Sequence, residues 1–162
     1  MLILPITLTI AGAAAILHVW LSIRVSRLRR QHHISIGDND NMAVRTRMRA
    51  HANFAENVPI MLVLLAAIEL GTGGSLWLWG AAILFILARI AHAFGMDRPA
   101  PNALRLAGVA ISWLVLLVLA GWAILLAYQS PPIHRGFQIS PGRAAGLETA
   151  PIPDVQPGPT PA

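Results

Sequence analysis

The sequence has no cysteine and no lysine, one tyrosine, and seven acidic residues in 162. Without cysteine there is no disulfide framework, no thiolate metal site and no cysteine nucleophile, so thiol chemistry needs a thiol carried by a ligand. Charged residues make up 12% of the chain, about half the quarter that soluble domains carry. With 56% hydrophobic residues, a soluble fold would leave too much apolar surface facing water. The scarcity of charge thus excludes a disordered chain, a basic nucleic-acid-binding domain and an ordinary soluble enzyme. What remains is a small integral membrane protein.

Long apolar runs support that reading. A hydrocarbon core of about 30 Å takes roughly 20 helical residues to cross. Four stretches meet this need: Leu2 to Val25, Asn53 to Leu70, Leu76 to Phe94, and Ala103 to Tyr128. Lipid offers backbone groups no partner, so each is expected to be a helix. Pro59 is expected to kink the second span rather than end it, because apolar sequence continues beyond it. The first run has no basic residue ahead of it and several behind it, which reads as a retained helix, not a cleaved signal peptide. The expected architecture is an all-α, four-helix membrane bundle over residues 1–129. Residues 130–162 hold eight of the twelve prolines and read as a flexible, disordered tail without a site.

All twelve basic residues are arginine, and the formal net charge is +5. Seven arginines lie between Arg24 and Arg49, and Arg89, Arg98 and Arg105 bracket the third connection. The turn Gly71-Thr-Gly-Gly-Ser75 has no charge. Arginine is retained on the cytoplasmic side, so both Arg-rich connections are expected there and both termini outside.

The start of the second span is unusually polar: Arg49-Ala-His-Ala-Asn53-Phe-Ala-Glu56-Asn57-Val-Pro59. Arg49, Asn53 and Glu56 stand at i, i+4 and i+7 and share one helical face, which Arg45 extends by a turn. Good helix propensity through residues 43–55 suggests a helix that begins before Arg45. From Arg45 to Leu70 it would measure roughly 39 Å, longer than the apolar core. Two readings stand. In one, Arg49 snorkels, Asn53 caps a neighbouring helix and Glu56 forms a structural ion pair. In the other, the stripe binds a zwitterion with peptide bonds: guanidinium to carboxylate, amide to backbone, Glu56 to an ammonium group.

Other polar residues divide similarly. Arg24, Arg27, Arg29 and Arg30 serve most simply as topology anchors. Arg89 snorkels at the end of the third span, and His92 is an interfacial residue one turn away. Arg105 follows the cap candidate Asn102 and opposes the helix dipole, a local conflict of the kind that gathers at functional sites. His18 suggests an interhelical contact. His32-His33 lacks further ligands at metal-binding spacing, so no metal is implied.

At these residues the sequence resembles the MAPEG family, the membrane-associated proteins in eicosanoid and glutathione metabolism. The pattern Arg-x-x-x-Asn-x-x-Glu followed by Pro is met by Arg49, Asn53, Glu56 and Pro59. The phrase Arg-Ala-His-Ala-Asn-Phe-Ala-Glu looks like the small bacterial branch, and the resemblance spans roughly residues 5 to 127. It implies a left-handed bundle assembled as a homotrimer in a bacterial inner membrane. Glutathione would bind between subunits at the cytoplasmic side, with a lipophilic small molecule as second substrate. On that resemblance Arg49, Asn53 and Glu56 would hold the tripeptide, and His51 would help line the site. Arg29 or Arg30 would contact a glutathione carboxylate, and Arg89 and His92 match a basic residue and a tyrosine on the third helix. Arg105 matches the arginine that stabilises the thiolate in eicosanoid-making members. Those members surround glutathione with tyrosines, whereas Tyr128, the sole tyrosine, lies at the far end of the fourth span. A leukotriene-specific enzyme is therefore not implied.

The expected activity is that of a glutathione transferase or glutathione-dependent peroxidase acting on lipophilic electrophiles. The alternative is a scaffold or thiol-ligand-binding module that keeps the fold without turnover. A transporter subunit is the third class, and the sequence lacks the inverted repeat that would support it.

Overall fold

The computed structural model describes residues 3–129; the expected tail, 130–162, lies outside the described residues. Four helices follow in order: α1 (Pro5–Gln31), α2 (Met42–Thr72), α3 (Leu76–Gly95) and α4 (Ala103–Gln129). Each is long and apolar enough to cross a membrane. The helix α2 begins before Arg45, as its propensity suggests, and runs through Pro59 without ending. Its Asn41 cap accepts hydrogen bonds from the amides of Ala43 and Val44.

The buried positions form one stripe per helix. In α1 they are Ile6, Ile10, Ala14, Leu17, Leu21, Val25 and Leu28, spaced by three or four residues, as a helix with one buried face requires. The matching stripe of α2 includes Phe54, Val58, Met61, Leu65 and Ile68, and Leu78, Ala82 and Phe85 complete it from α3. The fourth helix buries only Gly108, Ser112, Val115 and Leu119 and exposes Trp113, Leu114 and Leu117. In lipid such exposure carries no hydrophobic penalty, and close backbone approach drives packing instead. Gly108 shows this. A Cβ there would come 2.7 Å from the Ala88 oxygen and 2.7 Å from His92 Cβ. At Gly95 a Cβ would run into the Arg105 backbone.

The uncharged end is closed by two caps. Gly73, at φ +76° and ψ −176°, ends α2 in backbone geometry that favours glycine, and Ser75 Oγ accepts from the Leu78 amide to start α3. Helix α1 has no side-chain cap of its own. Glu69, near the end of α2, supplies one. Its Oε1 accepts from the Ile6 amide at 2.9 Å, and its Oε2 from the Thr7 amide and hydroxyl at 2.8 and 2.7 Å. A carboxylate against free amides at a positive helix end is favourable on both counts.

Candidate functional site

The Arg-rich end carries polar groups in two states, engaged and free. Asp97, in the α3–α4 connection, accepts from Arg24 of α1 and, at 3.3 Å, from Arg47 of α2. The Arg24 guanidinium also lies 4.6 Å from the Trp20 ring centre. These arginines tie three parts of the chain together. Arg45 is likewise engaged, with Asp38 at 2.5 Å and Asp40 at 2.9 Å. The hydrogen bond from Arg45 holds the Asp38 carboxyl below the usual carboxylate range.

Arg89 is engaged deeper in the bundle. Only 3% of it is exposed, so it does not snorkel, contrary to the expectation from its position near the helix end. Its Nη1 donates to Asn53 Oδ1 of α2 at 2.5 Å, and its Nη2 to the Gly108 carbonyl of α4 at 3.0 Å. The tight α3–α4 approach at Gly108 is what brings that carbonyl within reach. His92, one turn on, is buried, with Nδ1 3.4 Å from the Arg105 carbonyl oxygen.

The α1–α2 groove carries unsatisfied groups. A cavity of about 360 Å³ is lined by Ser22, Ser26, Arg29, Met48 and His51, among others. Arg29 Nη2 donates weakly to Met48 Sδ at 3.4 Å. Arg29 Nε and His51 Nε2 are buried without a partner among the described residues. Buried polar groups are rarely left so, and each such group needs an explanation. The His51 ring lies 4.5 Å from that of His18, which borders an apolar groove of about 270 Å³ lined also by Ala14, Phe54, Val58 and Pro59.

Residues 7–125 of this chain match the MAPEG family model. The chain belongs to the MAPEG family. It is 29% identical over 110 residues to the inner membrane protein YecN of Escherichia coli strain K12, covering 67% of this chain and 82% of that protein. The protein of the same name from Escherichia coli O6:H1, strain CFT073, matches to the same extent. With four apolar spanning helices as well, this is an integral, multi-pass membrane protein of that family.

Within this MAPEG chain, the residues singled out by sequence fall into separate groups. The structure joins Asn53 to Arg89, Arg29 to His51 across one cavity, and His92 to the Arg105 backbone. Arg30, Arg49 and Glu56 are exposed, and their side chains make no hydrogen bond or ion pair among the described residues. The Arg105 side chain is also exposed and borders a cavity of about 420 Å³ with Pro101, Leu106 and Val109. Asn102 caps α4 as expected, its Oδ1 accepting from the Leu104 amide at 2.9 Å. No Cα of α1 lies within 8 Å of a Cα of α4 among the described residues. Sequence reasoning missed Glu69 and Asp97. For Glu69 the signal was available: an acid at the end of an apolar span, and a helix starting at Leu4-Pro5 without a capping side chain.

Proposed function

We propose that this protein is a membrane glutathione transferase or glutathione-dependent peroxidase acting on lipophilic electrophiles. The observation that carries the proposal is the pair of buried nitrogens, Arg29 Nε and His51 Nε2, that have no partner among the described residues and line one cavity beside Met48. A carboxylate of a peptide-like ligand would satisfy Arg29, and a polar group of the same ligand would satisfy His51. Arg49 and Glu56, exposed on α2 and unpartnered among the described residues, supply opposite charges for a zwitterion. Arg105 is carried by α4, no Cα of which lies within 8 Å of α1 among the described residues. That separation favours a homotrimer with the ligand between subunits, so that α1 of one copy and α4 of another share it. The ten arginines of the two Arg-rich connections support a cytoplasmic site in a bacterial inner membrane, with both termini periplasmic.

A thiol with a pKa near 8.5 is mostly protonated at neutral pH. The Arg105 guanidinium beside the sulfur would favour the thiolate, and one unit of lowering corresponds to about 1.4 kcal/mol. The thiolate then attacks an electrophilic carbon reached from the bilayer. A C–S bond forms as the bond to the leaving group breaks, and no general base is required. Holding both reactants at the bilayer surface supplies much of the remaining rate.

The test is thiolate absorbance against pH in saturating glutathione, for wild type, Arg105→Ala and Arg105→Lys. The expected result is a thiolate near neutral pH in wild type, a titration shifted upward in Arg105→Ala, and partial retention in Arg105→Lys, which keeps charge without the planar fork. Coincident curves would remove Arg105 from the mechanism. Binding without any thiolate signal in wild type would select the non-catalytic thiol-ligand module.

A further inference from the structure

We infer that Arg89 is a positioning residue that locks the Asn53 amide with its oxygen inward, so that Asn53 meets a ligand only as a hydrogen-bond donor. The inference rests on the reading of Asn53 as a ligand contact and deepens it by naming what the ligand must present there.

A side-chain amide carries an acceptor and a double donor of nearly equal size, and unrestrained it can turn either toward a ligand. A guanidinium has five N–H groups and no acceptor. With Arg89 Nη1 2.5 Å from Asn53 Oδ1, a flipped amide would set donor against donor beside a buried cation. Burial makes that arrangement costly, because Arg89, only 3% exposed, has no water to turn to instead. Nor can Arg89 easily move aside. Its Nη2 is held by the Gly108 carbonyl at 3.0 Å, and the Phe85 ring centre lies 5.8 Å from its guanidinium carbon. The same carbonyl also accepts from Ser112 Oγ at 2.7 Å, and the space around it is closed by the α3–α4 contact at Gly108. Arg89 Nε remains buried and unpartnered, so the guanidinium is not there because every N–H is satisfied. Its two directed contacts are what the position offers.

The consequence falls on Asn53. Oxygen and nitrogen diverge from one planar carbon, so turning Oδ1 toward α3 turns Nδ2 away from it. Nδ2 makes no hydrogen bond among the described residues, and the residue is half-buried on the face of α2 that carries Arg49 and Glu56. That face therefore offers a guanidinium, two amide N–H donors and a carboxylate, in that order along the helix. Its complement has an acceptor opposite Asn53 and an ammonium opposite Glu56. A peptide carbonyl or carboxylate oxygen meets the first requirement; a peptide N–H does not.

The experiment is a double-mutant cycle on the full chain in detergent. Reduced glutathione binding is followed by calorimetry, and thermal unfolding is followed without ligand. The variants are Arg89→Lys, Asn53→Ala, their combination, and Asn53→Asp. Arg89→Lys is expected to weaken glutathione binding about tenfold with Asn53 present and to have no further effect in the Asn53→Ala background, the signature of coupled residues. Asn53→Asp keeps a partner for Arg89, and so should keep its unfolding midpoint, yet it presents an acceptor and should lose about tenfold or more in affinity. Equal effects of Arg89→Lys in both backgrounds would overturn the inference, as would wild-type affinity in Asn53→Asp. Should Arg89→Lys fail to fold, Asn53→Asp decides alone. Absence of glutathione binding in wild type would instead overturn the proposed function. The ligand-free unfolding cycle then judges Arg89: coupled shifts uphold the locked amide, and additive shifts overturn it.

Discussion

At the uncharged end of the bundle one carboxylate, Glu69, is buried and accepts three hydrogen bonds from the start of α1. At the Arg-rich end another carboxylate on the same helix, Glu56, is exposed and accepts none among the described residues. Both are glutamates in or beside apolar sequence on one helix. Glu69 is spent on holding α1 to α2. Among the described residues Glu56 and Arg49 make no hydrogen bond or ion pair, and Arg29 Nε and His51 Nε2 have no partner. Among buried groups, an atom left unpartnered at a cavity, such as Arg29 Nε, is open to a ligand in a way that the fully engaged Glu69 carboxylate is not. The comparison also divides the Arg-rich end itself, where Arg24, Arg45 and Arg47 pair with acids and, among the described residues, Arg49 and Arg105 do not.

The largest expected effect tests the free charges. Arg49→Ala and Glu56→Gln should each cost about 2–5 kcal/mol of glutathione affinity, as for one partner of a desolvated charged contact, while the unfolding midpoint of the assembled protein stays put. Unchanged affinity by calorimetry for both variants would erase the distinction between the two ends. Glu69→Ala should do the reverse. Loss of a charged cap should lower unfolding stability by about 2 kcal/mol, read from thermal unfolding in detergent, with glutathione affinity preserved. A drop in affinity larger than the drop in stability would link Glu69 to the site.

Smaller effects sharpen the division within the Arg-rich end. Asp97→Asn removes the shared partner of Arg24 and Arg47. The pairs are solvent-accessible, so the loss should be no more than about 1 kcal/mol and should shrink with added salt. A loss independent of salt would mean that Asp97 does more than pair charges. The smallest effect concerns Asp38. Its carboxyl is held below the usual range by Arg45, so the contact's contribution to order in the α1–α2 connection is present above the ordinary carboxylate pKa and fades as pH falls through the lowered value. Arg45→Ala should return the Asp38 titration, followed by NMR, upward to the ordinary range. No movement would show that Asp40 and the local backbone, not Arg45, set it.

The four spans were legible because crossing a membrane is a local requirement, met residue by residue along each helix. The early start of α2 and the Asn102 cap followed from propensity and capping chemistry, which reach only a few positions along the chain. The shared face of Arg49, Asn53 and Glu56 followed from helical periodicity. Arg89 was misjudged because snorkelling is inferred from distance to a helix end, whereas its burial depends on α4 approaching α3 closely at Gly108. Met48 beside Arg29, and Asp97 between Arg24 and Arg47, depend likewise on which helices adjoin.

By itself, then, the sequence determined a membrane protein of four helices, the family it belongs to, and the clustering of ten arginines in two connections, all properties of composition, period and spacing. Only the tertiary structure decided which of those polar groups are consumed. Helical spacing sets Arg49 and Glu56 on one face, but it does not show that Glu69, Arg24, Arg47 and Arg89 meet partners on other parts of the chain. Whether a charge finds its partner inside the chain depends on contacts between helices far apart in sequence, and no helical period encodes them.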